Sequence, residues 1–288
     1  MAGPSQWADP KDAASIIDAH VHLWPAASAL YPRAEVLPQP VSPEVYTDAE
    51  LFGEGLRYGI ARTVGIQHIG YYGYDNRYLL DLRERMPDRI AVIGAVGERE
   101  PDGPERLEAL VRAGARGVRV RGFEVSTWPN DPHVLALWHK AQELGALICP
   151  LLRVRDGFED RPLPAIAQLC ERFPELNVII DHMAFVDPRD DDLRSEFIDL
   201  ARFRRIHVKT SGFEKHLDSR RAHLIAFIRE LVEAFGPERL MWGSDMPVLL
   251  GRGGDLSEIM AFVGHDLGLT STERGDIMRG TAERLFFP

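Results

Sequence analysis

Eight short apolar segments, most of them rich in β-branched residues, alternate along the chain with longer segments of helical periodicity. The strand candidates are SIID at 15–18, RTVGI at 62–66, IAVIGAV at 90–96, GVRV at 117–120, ALICPLL at 146–152, NVIID at 177–181, IHVKT at 206–210 and LMWG at 240–243. A strand followed by a helix, repeated eight times, is typical of a closed barrel of parallel strands. The sequence therefore predicts an α/β fold built as a single (β/α)8 TIM barrel, with a doubly wound open sheet as the alternative.

The barrel is expected to occupy residues 15–288, because no internal repeat, linker or low-complexity segment divides this range. Residues 1–14 are predicted to form an N-terminal lead, since they lack the charged and apolar regions of a signal peptide. After the first strand, the Pro-rich stretch WPAASALYPRAEVLPQPVSPE is too long for an ordinary connection. We expect residues 23–46 to form an extended loop or lid at the active site.

Two segments carry clear helix signals. Between residues 219 and 236, apolar residues recur at helical spacing, with Ser219 placed to cap the helix and Gly236 to end it. The predicted apolar face consists of Leu224, Ile225, Phe227, Ile228, Leu231, Val232 and Phe235. A second helix is predicted to begin at Thr47, because Glu50 three residues later completes a capping box.

Charge balance and cysteine content narrow the class of protein. Lys and Arg number 34 against 44 Asp and Glu, for a net charge of −10, and no basic segment would attract nucleic acid or an anionic membrane. No window approaches the roughly 20 apolar residues that span a bilayer. Cys149 and Cys170 both lie in apolar segments, so a reducing, cytoplasmic location is the simplest assumption. The expected partner is a small-molecule substrate, and whether the chain forms a homo-oligomer stays open.

Chemically active side chains follow the predicted strands at their carboxyl ends, where a TIM barrel builds its active site. The segment IIDAHVHLW places His20 and His22 two residues apart, so both side chains share one face of the first strand. His182 follows the sixth strand, on the face opposite Asp181, and Asp245 follows the eighth. The four candidates for catalysis, or for binding one metal ion, are His20, His22, His182 and Asp245.

Cationic and aromatic side chains near the same strand ends are candidates for substrate binding. Arg119 and Arg121 share a face at the end of the fourth strand, and Lys209 lies on the seventh. His68 and Tyr74 follow the second strand. Each has an ordinary structural alternative, since arginines form rim salt bridges, a buried lysine can pair with an acid, and loop histidines and tyrosines are common.

The histidines and the aspartate also have structural alternatives. An H-x-H pair occurs by chance, and Asp245 could simply cap the segment that follows it. The functional interpretation is favoured because these residues fall independently at the ends of strands one, six and eight.

Ordered motifs along the chain resemble those of the amidohydrolase superfamily. IIDAHVHLW, VIIDHMAF, VKTSGF and RLMWGSDMPV are similar to the strand-one, strand-six, strand-seven and strand-eight signatures of its amidohydrolase-2 branch, which includes 2-pyrone-4,6-dicarboxylate lactonases and sugar lactonases. VGIQHIGYYGYDNRYLLDLRERMPDRIAVIGAV and GARGVRV resemble the same branch between strands two and four. The resemblance runs from residue 15 onward and implies a distorted (β/α)8 barrel of the amidohydrolase type and a hydrolase that opens a lactone ring.

The sequence departs from the binuclear metal centre of that superfamily. Binuclear members use a carboxylated lysine on strand four and a histidine on strand five, and the segments GVRV and ALICPLL contain neither. Related aromatic-acid decarboxylases also hold their metal with a strand-five histidine. A metal-dependent decarboxylase of an aromatic or unsaturated acid is therefore only the alternative function, and a barrel that merely binds ligands is a third. Cys149 could replace the missing ligand, but a buried cysteine is usually a packing residue.

The resemblance implies roles for the candidate residues. Relatives in the lactonase branch work with one divalent cation or with none, and the donor set here suits zinc or manganese. For an anionic or sugar-derived lactone, Asp245 is predicted to act as general base, while His20, His22 and His182 polarise the carbonyl directly or through the metal. Arg119, with Arg121 or Lys209, is predicted to anchor an anionic group.

Overall fold

The computed structural model describes residues 15–34, 43–122, 124–154, 162–212, 217 and 220–288. Within these ranges, eight parallel strands follow one another in chain order around a nearly closed barrel. The strands are β1 (Ile16–Val21), β2 (Ile60–Ile66), β3 (Ile90–Ala95), β4 (Gly117–Arg121), β5 (Leu147–Leu151), β6 (Val178–Ile180), β7 (Ile206–Thr210) and β8 (Leu240–Trp242). The eight predicted strands are confirmed, and the open-sheet alternative is wrong because a doubly wound sheet reverses its strand order.

The segment after β8 returns to β1 and closes the barrel at the end where the site lies. Met246 bridges Val21 in parallel. The backbone N–H of Asp245 donates to the carbonyl of His20 at 2.9 Å, and that of His22 donates to the carbonyl of Met246 at 2.7 Å. The first and last site segments therefore share backbone hydrogen bonds.

Helices connect the strands and cover the barrel. They are α1 (Asp48–Gly55), α2 (Ile69–Tyr72), α3 (Arg77–Arg85), α4 (Gly103–Arg112), α5 (Pro132–Leu144), α6 (Pro162–Arg172), α7 (Asp191–Ile198), α8 (Arg221–Phe235), α9 (Val248–Gly251), α10 (Leu256–Ala261), α11 (Ser271–Gly275) and α12 (Thr281–Phe286). Among the described residues, no helix combines the length and the apolar character needed to cross a membrane.

Both predicted helices are observed, α1 with the expected capping box and α8 with the expected apolar face, although the N-cap position of α8 is held by Arg220. Thr47 accepts from the backbone N–H of Ala49, and its own N–H donates to Glu50, so the capping box is confirmed. Six of the seven predicted apolar residues of α8 are buried, and Ile225 is half-buried. Gly236 ends α8 with a φ of 79°. Ser219 lies outside the described residues.

A small apolar cluster connects the strands to the last helix. Its members are Ile17, Ala19, Val64, Ile66, Ala91, Ile93, Leu147, Cys149, Ile179, Met241, Ala282 and Phe286. Six strands and α12 contribute to it, as expected for the filled interior of a TIM barrel. Lys209 lies beside this cluster, with Nζ 5.9 Å from the centre of the Phe286 ring.

Two backbone hydrogen bonds between Trp24 and Tyr46 join the two ends of the long segment after β1. The N–H of Trp24 donates to the carbonyl of Tyr46 at 2.7 Å, and the N–H of Tyr46 donates back at 2.9 Å. The Trp24 ring stacks on Tyr71 with centroids 4.7 Å apart and meets His68 edge-on at 5.4 Å. Residues 35–42 of the predicted loop lie outside the described residues. On either side of them, the N–H of Ala34 donates to the carbonyl of Tyr71 at 2.9 Å, and the indole N–H of Trp24 donates to the carbonyl of Pro43 at 3.1 Å.

Candidate active site

The H-x-H pair at the end of β1 places two imidazoles at the mouth of the barrel. His20 and His22 are both buried, with their Nε2 atoms 3.3 Å apart. Nδ1 of His22 lies 2.8 Å from the carbonyl oxygen of Ile66. Because a carbonyl can only accept, Nδ1 of His22 carries the proton and Nε2 of neutral His22 presents a lone pair to the site.

His182 reaches the same place through an unusual backbone path. β6 ends at Ile180, and the residues from His182 to Phe185 have φ between 50° and 55°. This left-handed stretch, unfavourable for residues other than glycine, carries the His182 ring to 4.4 Å from that of His20, measured between centroids. Ser211 holds the ring, with Oγ 2.8 Å from Nδ1.

Asp245 places one carboxylate oxygen among the three imidazoles. Its Oδ1 lies 3.6 Å from Nε2 of His20, 3.5 Å from Nε2 of His22 and 3.9 Å from Nε2 of His182. The residue is buried and has a φ of 59°. Its Oδ2 lies 3.6 Å from a terminal nitrogen of Arg252. The structure thus brings the four predicted catalytic residues together.

Asp181 lies directly beneath the site and contacts it through His20. Strand alternation predicts Asp181 on the face opposite His182, so it was not among the predicted site residues. Its Oδ1 is 3.1 Å from Nζ of Lys209, and its Oδ2 is 3.2 Å from Nε of Arg119. Burial alone would raise the pKa of Asp181, but Lys209, His20 and Arg119 together hold it well below the ordinary value. Strand alternation could have identified Asp181 as a site residue. Ile179 helps to fill the barrel interior, and Asp181, two residues later, faces the same side.

The three imidazoles are kept neutral by their surroundings. Burial, helped by the charge of Arg119, lowers the pKa of His22 to about 3. Burial also lowers the pKa of His182 to about 4, against the opposing effect of Asp245. For His20, burial and the charge of Lys209 lower the pKa well below its ordinary value. At neutral pH the site therefore offers uncharged nitrogens beside carboxylates.

The predicted substrate-binding residues fall into an inner and an outer group. Arg119 and Lys209 are buried and paired with Asp181, and the His68 ring lies 4.9 Å from that of His22. Burial, together with the charges of Arg119 and Arg121, lowers the pKa of His68 well below its ordinary value.

The outer group lies at the rim. Tyr74 is 39% exposed there, and Arg121 is half-buried. Burial and the charge of buried Glu98 raise the pKa of Tyr74, against the opposing effect of Arg121. Burial also raises the pKa of Glu98. Sequence reasoning had not singled out Glu98.

The donor set fits a single divalent cation. Ligand atoms of His20, His182 and Asp245 all lie within 4.8 Å of one another, and each residue is buried. Nε2 of His22 adds a fourth acceptor, because its tautomer is set by Ile66. Neutral imidazoles with one carboxylate are ligands that zinc prefers. Cys149 does not join them, since it packs in the apolar cluster and burial raises the pKa of its thiol to about 12.

Two glycines permit the close packing of the histidines. A Cβ on Gly212, whose φ is 67°, would lie 2.9 Å from Nδ1 of His182. A Cβ on Gly243 would lie 2.6 Å from Cβ of His20 and 3.0 Å from its backbone nitrogen. The segments after β7 and β8 therefore approach His182 and His20 more closely than any larger residue allows.

We expect Gly243→Ala to lower the free energy of unfolding by about 1–3 kcal/mol, the usual range for overpacking. The new methyl group would meet the backbone and Cβ of His20, neither of which can rotate away. Denaturant unfolding measures the change. Gly53→Ala is the control, because a Cβ added to Gly53 in α1 would have no neighbouring atom within 4 Å, and alanine should stabilise that helix by about 0.5–1 kcal/mol. Equal effects of the two substitutions would contradict the close approach.

Comparisons with known proteins agree on the family and the fold. The family model for amidohydrolases (Amidohydro_2) matches residues 17–287. The L-fucono-1,5-lactonase of Burkholderia ambifaria is 31% identical over 265 residues, which cover 85% of this chain and 86% of that protein. An amidohydrolase of Burkholderia multivorans, solved with bound zinc, superposes with a TM-score of 0.74 at 23% identity, covering 94% of this chain and 99% of that one. A proposed 2-pyrone-4,6-dicarboxylic acid hydrolase of Pseudomonas putida gives a TM-score of 0.75 at 23% identity, covering 95% and 97%.

Proposed function

The chain belongs to the amidohydrolase family and is a hydrolase of the lactonase type, and from that premise we propose that it opens the ring ester of a small, sugar-derived lactone. The observation that carries the proposal is the position of Asp245, whose Oδ1 lies 3.5–3.9 Å from three imidazole Nε2 atoms at the barrel mouth. A carboxylate beside uncharged donors and acceptors is the arrangement that ester hydrolysis needs.

In this proposal, Asp245 moves the proton. Its carboxylate takes a proton from the attacking water and returns it to the ring oxygen as the carbon–oxygen bond breaks, which yields the open hydroxy acid. Burial of the site excludes bulk water, so the carboxylate does not compete with solvent for that proton. Arg252 lies beside Oδ2 and orients the carboxylate.

The histidines prepare the carbonyl for attack. We propose that His20, His182 and Asp245, with His22 as a fourth ligand, hold one divalent cation, zinc or manganese. When bound, the cation supplies Lewis-acid polarisation of the ester carbonyl. Ile66 and Ser211 fix the rings of His22 and His182, so the nitrogens point to the same centre before the substrate arrives.

The charges around the site favour an uncharged substrate over a dicarboxylate. Arg119 and Lys209 share Asp181, and Arg252 lies beside Asp245. A substrate carboxylate would have to compete with these resident carboxylates for each cation. The hydroxyl groups of a sugar lactone can instead bond to the donors while the ion pairs stay intact, with Arg119, Arg121, His68 and Tyr74 as the proposed contacts.

We therefore expect kcat/KM for neutral sugar lactones to exceed that for pyrone dicarboxylates by about 10- to 100-fold, since one charge-assisted pair is worth roughly 1.5–3 kcal/mol. Hydrolysis of sugar lactones, muconolactones and pyrone carboxylates, followed with a pH indicator, measures the ratio. Faster turnover of a dicarboxylate would show that the cations are available to substrate anions and would reject the sugar-lactone assignment.

Decarboxylation is the weaker candidate. In β5, the only residue able to act as a metal ligand is Cys149, and it packs in the apolar cluster inside the barrel. Release of carbon dioxide from an aromatic acid, with no hydrolysis of any lactone, would reverse the order of the two functions.

A further inference from the structure

Nδ1 of His20 lies between two groups of opposite charge. It is 3.4 Å from Oδ1 of Asp181 and 3.4 Å from Nζ of Lys209, and both side chains are fully buried. An ammonium group can only donate and a carboxylate can only accept. Asp181 and Lys209 therefore favour opposite positions for the single proton of the neutral His20 ring.

Each position has a different consequence on the other side of the ring. If Lys209 donates to Nδ1, the proton is on Nε2 and can be donated to Nε2 of His22, 3.3 Å away. That nitrogen accepts because Nδ1 of His22 donates to Ile66. The result is a hydrogen-bonded chain through both histidines, in which Nε2 of neither ring is left to bind a cation.

If Nδ1 of His20 instead donates to Asp181, Nε2 of His20 carries a lone pair. It then faces the lone pair of His22 and Oδ1 of Asp245, at 3.3 Å and 3.6 Å. Three acceptors at such distances repel one another unless a cation lies among them. The ring keeps one proton in both arrangements, so the choice changes the direction of the hydrogen bonds and not the charge of His20.

We propose that Asp181 is a positioning residue for the cation site: it accepts the Nδ1 proton of His20 and so directs Nε2 of His20 at a divalent cation, while Lys209 favours the opposite tautomer. Arg119 neutralises the second oxygen of Asp181 from 3.2 Å, which leaves Oδ1 for His20 and Lys209. A carboxylate behind a ligating imidazole typically changes metal affinity 10- to 100-fold. The inference rests on the proposed function only in using the same cation site.

The test compares three proteins: the wild type, Lys209→Met, and Asp181→Leu combined with Lys209→Met. The double variant removes one charge of each sign, so the buried cluster keeps the net charge of the wild type but loses the acceptor for Nδ1. Metal-free protein is titrated with Zn²⁺ against a chromophoric chelator. We expect Lys209→Met to bind Zn²⁺ at least as tightly as the wild type, and the double variant to bind it about 10- to 100-fold more weakly.

A purely electrostatic role of Asp181 predicts a different result, because the double variant and the wild type have the same cluster charge. A double variant whose Kd for Zn²⁺ stays within about threefold of the wild type, well below that range, overturns the proposal. A wild type that binds neither Zn²⁺ nor Mn²⁺ overturns it as well, whatever its activity. Failure to hydrolyse any lactone with the Zn²⁺ pattern intact would contradict the proposed function alone.

A second measurement uses the wild-type protein, so it does not depend on whether the Asp181 and Lys209 variants fold. Long-range ¹H–¹⁵N spectra of histidine-labelled, Zn²⁺-loaded wild type report which nitrogen of His20 carries the proton, and the His20 signals are identified by their loss in His20→Gln. We expect the proton on Nδ1. A proton on Nε2 in the loaded protein would show that His20 does not bind the cation through Nε2, and it would overturn the proposal.

Discussion

Replacing Asp245 by asparagine is expected to lower kcat for lactone hydrolysis by about 100- to 10,000-fold, the usual loss when a general base is removed. The amide is nearly isosteric with the carboxylate but cannot accept a proton at neutral pH. The backbone N–H of Asp245, which bonds to His20, is unaffected, so the barrel should stay folded. Steady-state kinetics on a sugar lactone should show a fall in kcat far larger than the change in KM, with the thermal midpoint as a check of folding.

Asp18→Asn is the matched control, because Asp18 is a second buried aspartate, inside β1 and hydrogen-bonded to the segment that carries Asp245. Its Oδ1 accepts the backbone N–H groups of His20 at 3.1 Å and Ser244 at 2.9 Å, and an asparagine oxygen can accept the same two bonds. The expected loss is at most about 1.5 kcal/mol, roughly tenfold in rate. An Asp245→Asn enzyme that keeps more than about a tenth of the wild-type kcat, a loss well short of the general-base range, would mean that another group removes the proton.

Replacing Asp181 by leucine alone is expected to lower the free energy of unfolding by about 3–5 kcal/mol, as when one partner of a buried ion pair is removed. Lys209 has no exposed surface and Arg119 is 5% exposed, so neither cation can turn to water when the carboxylate is lost. Denaturant titration followed by circular dichroism measures the change. Adding Lys209→Met should recover a large part of it, because the second substitution removes the cation that is buried most deeply.

An exposed ion pair provides the comparison for this prediction. Arg205 and Glu175 approach to 2.9 Å, but their side chains are 48% and 70% exposed. Glu175→Gln should therefore cost less than about 1 kcal/mol. Two results would contradict this prediction: a loss of unfolding free energy in Asp181→Leu no larger than in Glu175→Gln, or a further loss when Lys209→Met is added. Either would show that the charges of Asp181, Lys209 and Arg119 do not stabilise one another.

The fold could be predicted from the sequence because its signal is local and repeated. Each strand shows its own short apolar run, and eight runs in alternation with helices leave few architectures. Likewise, two-residue spacing is enough to place His20 and His22 together, because His20 lies in β1 and His22 follows the last residue of that strand. Asp245 was found because the reactive groups of a barrel lie at strand ends.

The remainder of the site depends on features that strand alternation does not contain. His182 was placed on the face opposite Asp181, yet both contribute, because the chain leaves β6 in a left-handed conformation through four residues that are not glycine. Nothing in their identities indicates that conformation. The role of Asp181 depends on Lys209 and Arg119, which come from β7 and β4, so it becomes visible only when the strands are in register.

The contact between Trp24 and Tyr46 allows the chain between them to vary without moving the histidines. The paired hydrogen bonds fix where the chain leaves the rim, two residues after His22, and where it returns. A change in the length of the chain between these two residues is therefore expected to leave His20 and His22 in place, since each doubling of loop length adds only about 0.6 kcal/mol of closure entropy.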